Sequence, residues 1–169
     1  RRSYTYPTST LKEAIEMIEK SEKPFVFVGG GVVRSNASQE LREFVEKIDA
    51  PVTDSLMGKG AFDGTNPRYT GMLGMHGTKT SNLGVSNCDL LVAIGVRFSD
   101  RVIGTAQKFA RHAKIIHLDV DEAEINKNVH VDLGIVGDAK SVLHALNLLL
   151  KQQNHSQWLK EIRALKEQY

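Results

Sequence analysis

Three short runs of apolar residues constrain the fold of this chain more than any other feature. They are PFVFV from Pro24, LLVAI from Leu90 and KIIHL from Lys114, and each is followed by a glycine or a carboxylate. A strand that is apolar on both of its faces must be covered on both. That arrangement is typical of a parallel sheet between two layers of helices.

Amphipathic segments alternate with these strands. Apolar residues at helical spacing predict helices over Thr8–Lys20, Ser38–Ile48, Gly77–Ser86, Thr105–His112 and Ala139–Lys151. The sequence therefore predicts an α/β domain with a doubly wound, mostly parallel sheet and helices on both faces, of the Rossmann-like, DHS-like kind.

Weaker patterns complete the organisation. APVTDS and VDLGIVGD are interpreted as two further strands, and the stretches Gly58–Tyr69 and Gly71–Thr78 as loops. We expect residues 1–155 to form one domain. Residues 156–169 are predicted to form a C-terminal amphipathic helix that begins a connector.

Composition narrows the function classes. The chain has 169 residues, 41% of them hydrophobic, and its 22 basic and 20 acidic side chains are interspersed, so no nucleic-acid partner is expected. No apolar run approaches the roughly 20 residues of a membrane span. A single cysteine fits a reducing compartment, either a bacterial cytoplasm or an organellar matrix. Because the chain begins at Arg1 without a methionine, we expect it to be a domain excised from a longer protein.

Small or charged residues follow every predicted strand. In parallel sheets of this kind, ligands bind beyond the carboxyl ends of the strands. The sequence therefore predicts a site for a polar ligand, lined by Gly29–Gly31, Asp54–Gly58, Gly95–Arg97, Asp119–Asp121 and Gly137–Ala139.

Two of these groups allow two interpretations. Gly29–Gly31 suits the close approach of a phosphate, but Arg34 stands where a dinucleotide fingerprint has its third glycine, and a tight strand-to-helix turn explains the run equally well. Arg97 and Arg101 suit phosphates because a guanidinium is planar and forked. The alternative is surface ion pairing with Asp100.

The remaining candidates are similarly open. Asp119 and Asp138 suit a ribose hydroxyl or, alternatively, a helix cap. Met75 and His76 lie in a glycine-rich loop, where a thioether can pack against a flat aromatic ring. No pair of His or Cys has metal-binding spacing, and no catalytic acid, base or nucleophile is evident, so neither a metal site nor a catalytic residue is predicted.

Several motifs together resemble a known family. GMLGMHGTKTSNLGVSNCDLLVAIGVRFSDRVIG, with PVTDSLMGKGAFDGTNPRY before it and KIIHLDVDEAEINKN after it, resembles the central domain of the acetolactate synthase large subunit. The resemblance runs from about Pro24 to about Leu150. It is to the anabolic, flavin-containing enzyme, which joins two pyruvates, or pyruvate and 2-oxobutyrate, and releases carbon dioxide.

The resemblance also implies cofactors, partners and contacts. Thiamine diphosphate and Mg²⁺ would bind in other domains of the same enzyme, which is expected to be a homo-oligomer with a regulatory small subunit. The central domain would bind FAD, which has no net redox role in that reaction. The implied FAD contacts are Gly29, Gly30, Gly31, Ser55, Leu56, Met57, Leu73, Gly74, Met75, His76, Gly95, Val96, Arg97, Asp100, Arg101, Val102, Asp119, Val120, Glu124, Ile125, Asp138 and Ala139.

Two departures from the family pattern carry expectations. Ser99 stands where the family usually has an aspartate, which is expected to alter local polarity without loss of binding. A family arginine that helps to hold FAD precedes this domain, so the isolated chain is expected to bind FAD weakly or not at all.

Two alternatives to a flavin-binding domain stay open. They are an NAD-binding or regulatory nucleotide module without flavin, and a structural spacer.

Overall fold

One parallel sheet organises the domain. The computed structural model describes residues 7–97, 110–125 and 131–169, in which six strands pair in the order β3-β2-β1-β4-β5-β6. All five pairings are parallel, so the predicted fold class is confirmed. The strands are β1 Pro24–Val28, β2 Val52–Asp54, β3 Tyr69–Met72, β4 Leu90–Ile94, β5 Lys114–Asp119 and β6 Leu133–Val136.

Six helices are described around this sheet, and two of them have the predicted bounds. They are α1 Thr8–Lys20, α2 Gly30–Arg34, α3 Ser38–Ile48, α4 Lys79–Asn87, α5 Ala139–Leu149 and α6 Ser156–Gln168. Short 3-10 turns span Leu56–Gly58 and Glu122–Glu124. The helix predicted over Thr105–His112 lies mostly outside the described residues, and the described Arg111 and His112 form a turn.

The core lies on both faces of the sheet, as the apolar strands require. On β1, Val26 and Val28 face a cluster that includes side chains of α1, α3 and α5. Phe25 and Phe27 face a second cluster with Trp158 and other side chains of α4 and α6. Each strand residue therefore buries its side chain on one side or the other, which explains the uninterrupted apolar runs.

Strand β3 was not predicted from the sequence, where Gly58–Tyr69 and Gly71–Thr78 were interpreted as loops. It lies at the sheet edge beside β2 and only Thr70 is buried, so its sequence YTGM carries no apolar run. The chain itself covers the outer edge: the Thr78 hydroxyl donates to the Thr70 carbonyl at 2.6 Å, and Lys166 Nζ donates to the Tyr69 carbonyl at 2.9 Å.

Helix α6 forms where the sequence predicts it and packs onto the second core cluster. The ring nitrogen of Trp158 donates to the Pro24 carbonyl at 2.8 Å, and the Trp158 ring meets Phe25 edge to face at 6.4 Å. The domain boundary at residue 155 stays a prediction. Among the described residues, no helix is both long enough and apolar enough to cross a membrane.

Candidate functional site

The sheet has one point at which the direction of winding reverses. From β1 the chain moves outward to β2 and β3, and it then returns to add β4, β5 and β6 on the other side of β1. In sheets of this kind a ligand crevice is expected at such a point, beyond the carboxyl ends of the two neighbouring strands β1 and β4. We call the side of the sheet at which the strands end its carboxyl edge.

A cleft of about 210 Å³ lies at this crevice. It brings together six of the predicted contact residues from four segments that are distant in sequence. Its lining residues are Gly31, Arg34, Ser35, Gly95, Leu118, Asp119, Val120, Gly137, Asp138 and Ala139. In the sequence, Arg34 is notable only because it stands in place of the third glycine of a dinucleotide fingerprint. In the structure its guanidinium lies beside Gly30 and lines the cleft.

The glycine run forms a tight turn that packs against the turn after β4. The N–H of Gly29 donates to the Ile94 carbonyl at 2.9 Å, and the N–H of Gly31 donates to the Gly95 carbonyl at 3.0 Å. A Cβ on Gly31 would lie 2.7 Å from Cα of Gly95, whose φ of 63° is itself in the left-handed region. Close backbone packing therefore accounts for Gly29 and Gly31, and a phosphate contact at this turn stays a prediction.

Exposed apolar side chains extend the site along the carboxyl edge, beyond the ends of β2 and β3. Leu56 and Met57 are 70% and 71% exposed, and Met75 is 90% exposed. The turn that carries the first two is fixed by Ser55, whose hydroxyl oxygen accepts the N–H of Gly58 at 3.2 Å. This strip offers thioethers and a branched alkyl group to a large, flat ligand.

Asn82 holds the loop that carries Met75 and His76. Its side-chain amide accepts the N–H of Gly74 at 2.9 Å and donates to the Gly74 carbonyl at 2.8 Å. Leu73 is buried in the second core cluster, whereas His76 is exposed. Sequence reasoning missed Asn82, although a polar side chain in the first turn of a helix after a glycine loop was the available signal.

The segment after β4 exposes a single cation among its described residues. Val96 is buried in the core, and Arg97 is exposed with no ion pair in the part of the chain that is described. The other predicted contacts of this segment, Asp100, Arg101 and Val102, lie outside the described residues. Pairing of Arg101 with Asp100 therefore stays an alternative.

Asp138 acts as a helix cap, Asp119 closes a short turn, and both line the cleft. Asp138 accepts the N–H of Ser141 at 3.0 Å and caps α5, and Asp119 accepts the N–H of Asp121 at 2.9 Å. Beyond β5, Glu124 is buried and Ile125 is half-buried. The side chain of Ile125 occupies the space that a Cβ on Gly134 would need.

The carboxylate of Asp54, which the sequence predicts in the lining of the site, is buried instead. Asp54, the last residue of β2, is 1% exposed and accepts the hydroxyl of Tyr69 on both oxygens, at 3.0 and 3.1 Å. Burial raises the pKa of Asp54, while the Tyr69 hydrogen bond and the charge of Lys59 partly oppose the shift. Burial, together with Asp54, raises the pKa of Tyr69 to about 12.

Comparison with known proteins gives the domain its family. The family model for the thiamine pyrophosphate enzyme central domain matches residues 11–146. This chain belongs to that family. The resemblance of the sequence motifs to the central domain of a thiamine-diphosphate-dependent enzyme is therefore confirmed. Among the described residues, no group of three or more His, Cys, Asp or Glu side chains could hold a metal ion.

Curated relatives carry the comparison further. The chain is 49% identical over 160 residues to a probable acetolactate synthase large subunit of Methanocaldococcus jannaschii, which covers 93% of the chain and 27% of the relative. It is 44% identical to the acetolactate synthase large subunit of Buchnera aphidicola, over 98% of the chain and 29% of the relative. It is 43% identical to the acetolactate synthase isozyme 2 large subunit of Escherichia coli, over 94% of the chain and 29% of the relative. The chain thus spans less than a third of the length of these relatives.

Proposed function

We propose that this chain is the FAD-binding central domain of an acetolactate synthase large subunit. The observation that carries the proposal is the strip of Leu56, Met57 and Met75, exposed on the carboxyl edge of the same sheet as the polar cleft. A dinucleotide with a flat tricyclic ring needs both surfaces, whereas a purely polar ligand needs only the cleft. The names of the relatives, which are acetolactate synthase large subunits, agree with this choice.

The described residues fit FAD by their chemistry. Arg34 and Arg97 are exposed cations suited to the pyrophosphate, and Asp119 at the cleft suits a ribose hydroxyl. The exposed methionines suit the isoalloxazine ring. Leu73 and Val96 have buried side chains, so only their backbone groups are available to a ligand. By the family resemblance, FAD would have no net redox role in the reaction.

The longer protein would perform the reaction that the resemblance implies. Two pyruvates, or pyruvate and 2-oxobutyrate, would be joined with loss of carbon dioxide, in the biosynthesis of branched-chain amino acids. Thiamine diphosphate and Mg²⁺ would be held by domains outside this chain. A homo-oligomer, a regulatory small subunit, and a location in a bacterial cytoplasm or an organellar matrix belong to the same proposal.

An NAD-binding or regulatory module without flavin is the second candidate. It is supported by the glycine turn and the Asp119 carboxylate at the switch point, which suit the adenosine half of NAD equally well. It leaves the exposed Leu56, Met57 and Met75 without a role. For that reason FAD is preferred.

Titration of the full-length apoprotein with FAD and with NAD, followed by flavin fluorescence and by calorimetry, separates the two. Leu56→Thr should weaken FAD binding by roughly 1 kcal/mol, about fivefold, because the ring covers part of that side chain. Leu148→Thr is the matched control, since Leu148 is 73% exposed against 70% for Leu56 and lies near the far end of α5, away from the carboxyl edge. Binding of NAD but not FAD, or equal FAD affinity in both variants, would contradict the proposal.

A further inference from the structure

His117 has a fully buried side chain. It lies between segments that carry predicted contact residues, but it is not itself a predicted contact. It is 0% exposed on β5 and lies on the same face of the sheet as Ile115 and Asp119. Its neighbours across the sheet are Ala93 on β4 and Gly134 on β6. Ala93 contributes only a methyl group, and the Ile125 side chain packs over Gly134.

The His117 ring makes a hydrogen bond just beyond the point at which the pairing of β4 with β5 ends. The β4–β5 pairing ends with Ile94 opposite Leu118 and the Gly95 N–H on the Leu118 carbonyl, and the chain then turns away at Gly95. His117 Nε2 lies 2.9 Å from the Val96 carbonyl oxygen. A carbonyl only accepts, so Nε2 carries the hydrogen and donates it. The peptide that this bond fixes joins Val96 to Arg97.

The same ring nitrogen is close to the second contact segment. His117 Nε2 lies 3.6 Å from Oδ2 of Asp119, and the other oxygen of that carboxylate accepts the N–H of Asp121 at 2.9 Å. One buried imidazole therefore lies between the peptide from which Arg97 projects and the carboxylate that lines the cleft.

We propose that His117 is a positioning residue for the dinucleotide site, and this inference rests on the proposed function for its ligand. It does not touch the ligand, because its side chain has no exposed surface. It holds the Val96–Arg97 peptide in the orientation that directs the guanidinium outward, and it keeps Asp119 at the cleft. Loss of the donor lets both groups move and weakens binding of the dinucleotide.

The test compares two amides that differ by one methylene. In His117→Gln the longer side chain places its amide N–H near the position of Nε2, whereas the amide of His117→Asn is too short to reach the Val96 carbonyl. In the full-length apoprotein, we expect His117→Asn to weaken FAD binding about tenfold and His117→Gln to restore most of the affinity. The visible circular dichroism of bound flavin should change in the first variant and not in the second.

Trp158→Phe is the matched control. It also removes a buried ring N–H from a backbone carbonyl, at 2.8 Å, but on Pro24 at the opposite edge of the sheet. It should lower the melting temperature and leave FAD affinity and the flavin spectrum unchanged. Equal FAD affinity in His117→Gln and His117→Asn, or an equal loss in Trp158→Phe, would overturn the inference.

Hydrogen exchange of the apoprotein provides a readout that needs no flavin. The amide of Gly95, which donates to the Leu118 carbonyl at 2.8 Å next to this peptide, should exchange about tenfold faster in His117→Asn than in wild type or His117→Gln. Unchanged exchange would refute the role of His117 in fixing this peptide. Failure of the wild-type protein to bind FAD would instead refute the proposed function, and the exchange result would still decide whether His117 positions the segment.

Discussion

Removal of the Tyr69 hydroxyl should destabilise the domain in a pH-dependent way. The substitution Tyr69→Phe leaves the Asp54 carboxylate, which is 1% exposed, without the hydroxyl that it accepts at 3.0 and 3.1 Å. A hydrogen bond to a charged group contributes about 1.5–3 kcal/mol, so the loss should be about 2 kcal/mol near pH 8. For a chain of this size, that corresponds to a fall of roughly 4–8 °C in melting temperature.

The sign of the pH dependence follows from Asp54. Burial raises its pKa in the folded state, so ionisation opposes folding, and stability from this group increases as the pH falls through the raised pKa. The Tyr69 hydrogen bond partly opposes the shift, so its removal raises the pKa further. The deficit of Tyr69→Phe should therefore be largest near pH 8 and smaller near pH 5, where more of Asp54 is protonated.

Urea unfolding of wild type and variants at the two pH values measures the effect. Tyr169→Phe is the matched control: Tyr169 is 57% exposed, and its loss should change stability by less than about 0.5 kcal/mol. In an Asp54→Asn background, which keeps an acceptor but no charge, the cost of Tyr69→Phe should be smaller and independent of pH. A deficit equal to that of Tyr169→Phe, or one that grows as the pH falls, would refute the reasoning.

Three further outcomes are expected. Burial raises the pKa of Cys88 to about 12, so a coloured disulfide reagent near pH 8 should label it only after unfolding; rapid labelling of the folded protein would contradict this. Gly29→Ala should destabilise the domain by about 3 kcal/mol in urea unfolding, since its Cβ would lie 2.7 Å from Cα of Val96 and clash with the Gly95 carbonyl. Gly64→Ala, with no neighbour closer than 3.8 Å, should have little effect, and equal costs would count against the argument. The 169-residue chain with added thiamine diphosphate, Mg²⁺ and pyruvate should form no acetolactate in a colorimetric assay, and measurable product would contradict the placing of catalysis in other domains.

Local sequence patterns predicted the helices that bury one apolar face and the strands that are continuously apolar. The bounds of α1 and α3 were predictable because apolar residues recur there at the helical period. Strands β1 and β4 were predictable because each is a short, continuous apolar run, as a strand buried on both faces requires. Strand β3 could not be found in this way. Its backbone is held by pairing with β2, and its sequence alternates neither in burial nor in polarity.

The candidate site was predictable in its location but not in its supporting contacts. Residue types at strand ends identified the carboxyl edge, because parallel topology brings those ends together. The residues that hold this edge were missed. Asn82 binds a backbone eight positions away, and His117 on β5 reaches the Val96 carbonyl just beyond the end of the neighbouring strand β4. Such contacts depend on which faces meet in three dimensions, and an asparagine or histidine in a sequence carries no record of its partner.

The central claim is that the cations at the carboxyl edge hold an anionic dinucleotide, and titration of full-length apoprotein with FAD tests it most directly. Wild type would be compared with Arg97→Ala, Arg97→Lys and Arg101→Ala at two salt concentrations. Arg111→Ala serves as the control, an exposed arginine before β5 at the opposite edge. We expect Arg97→Ala to weaken binding about ten- to a hundred-fold, and Arg97→Lys to recover only part of the loss because an ammonium lacks the planar fork. Wild-type affinity in both Arg97→Ala and Arg101→Ala would contradict the account.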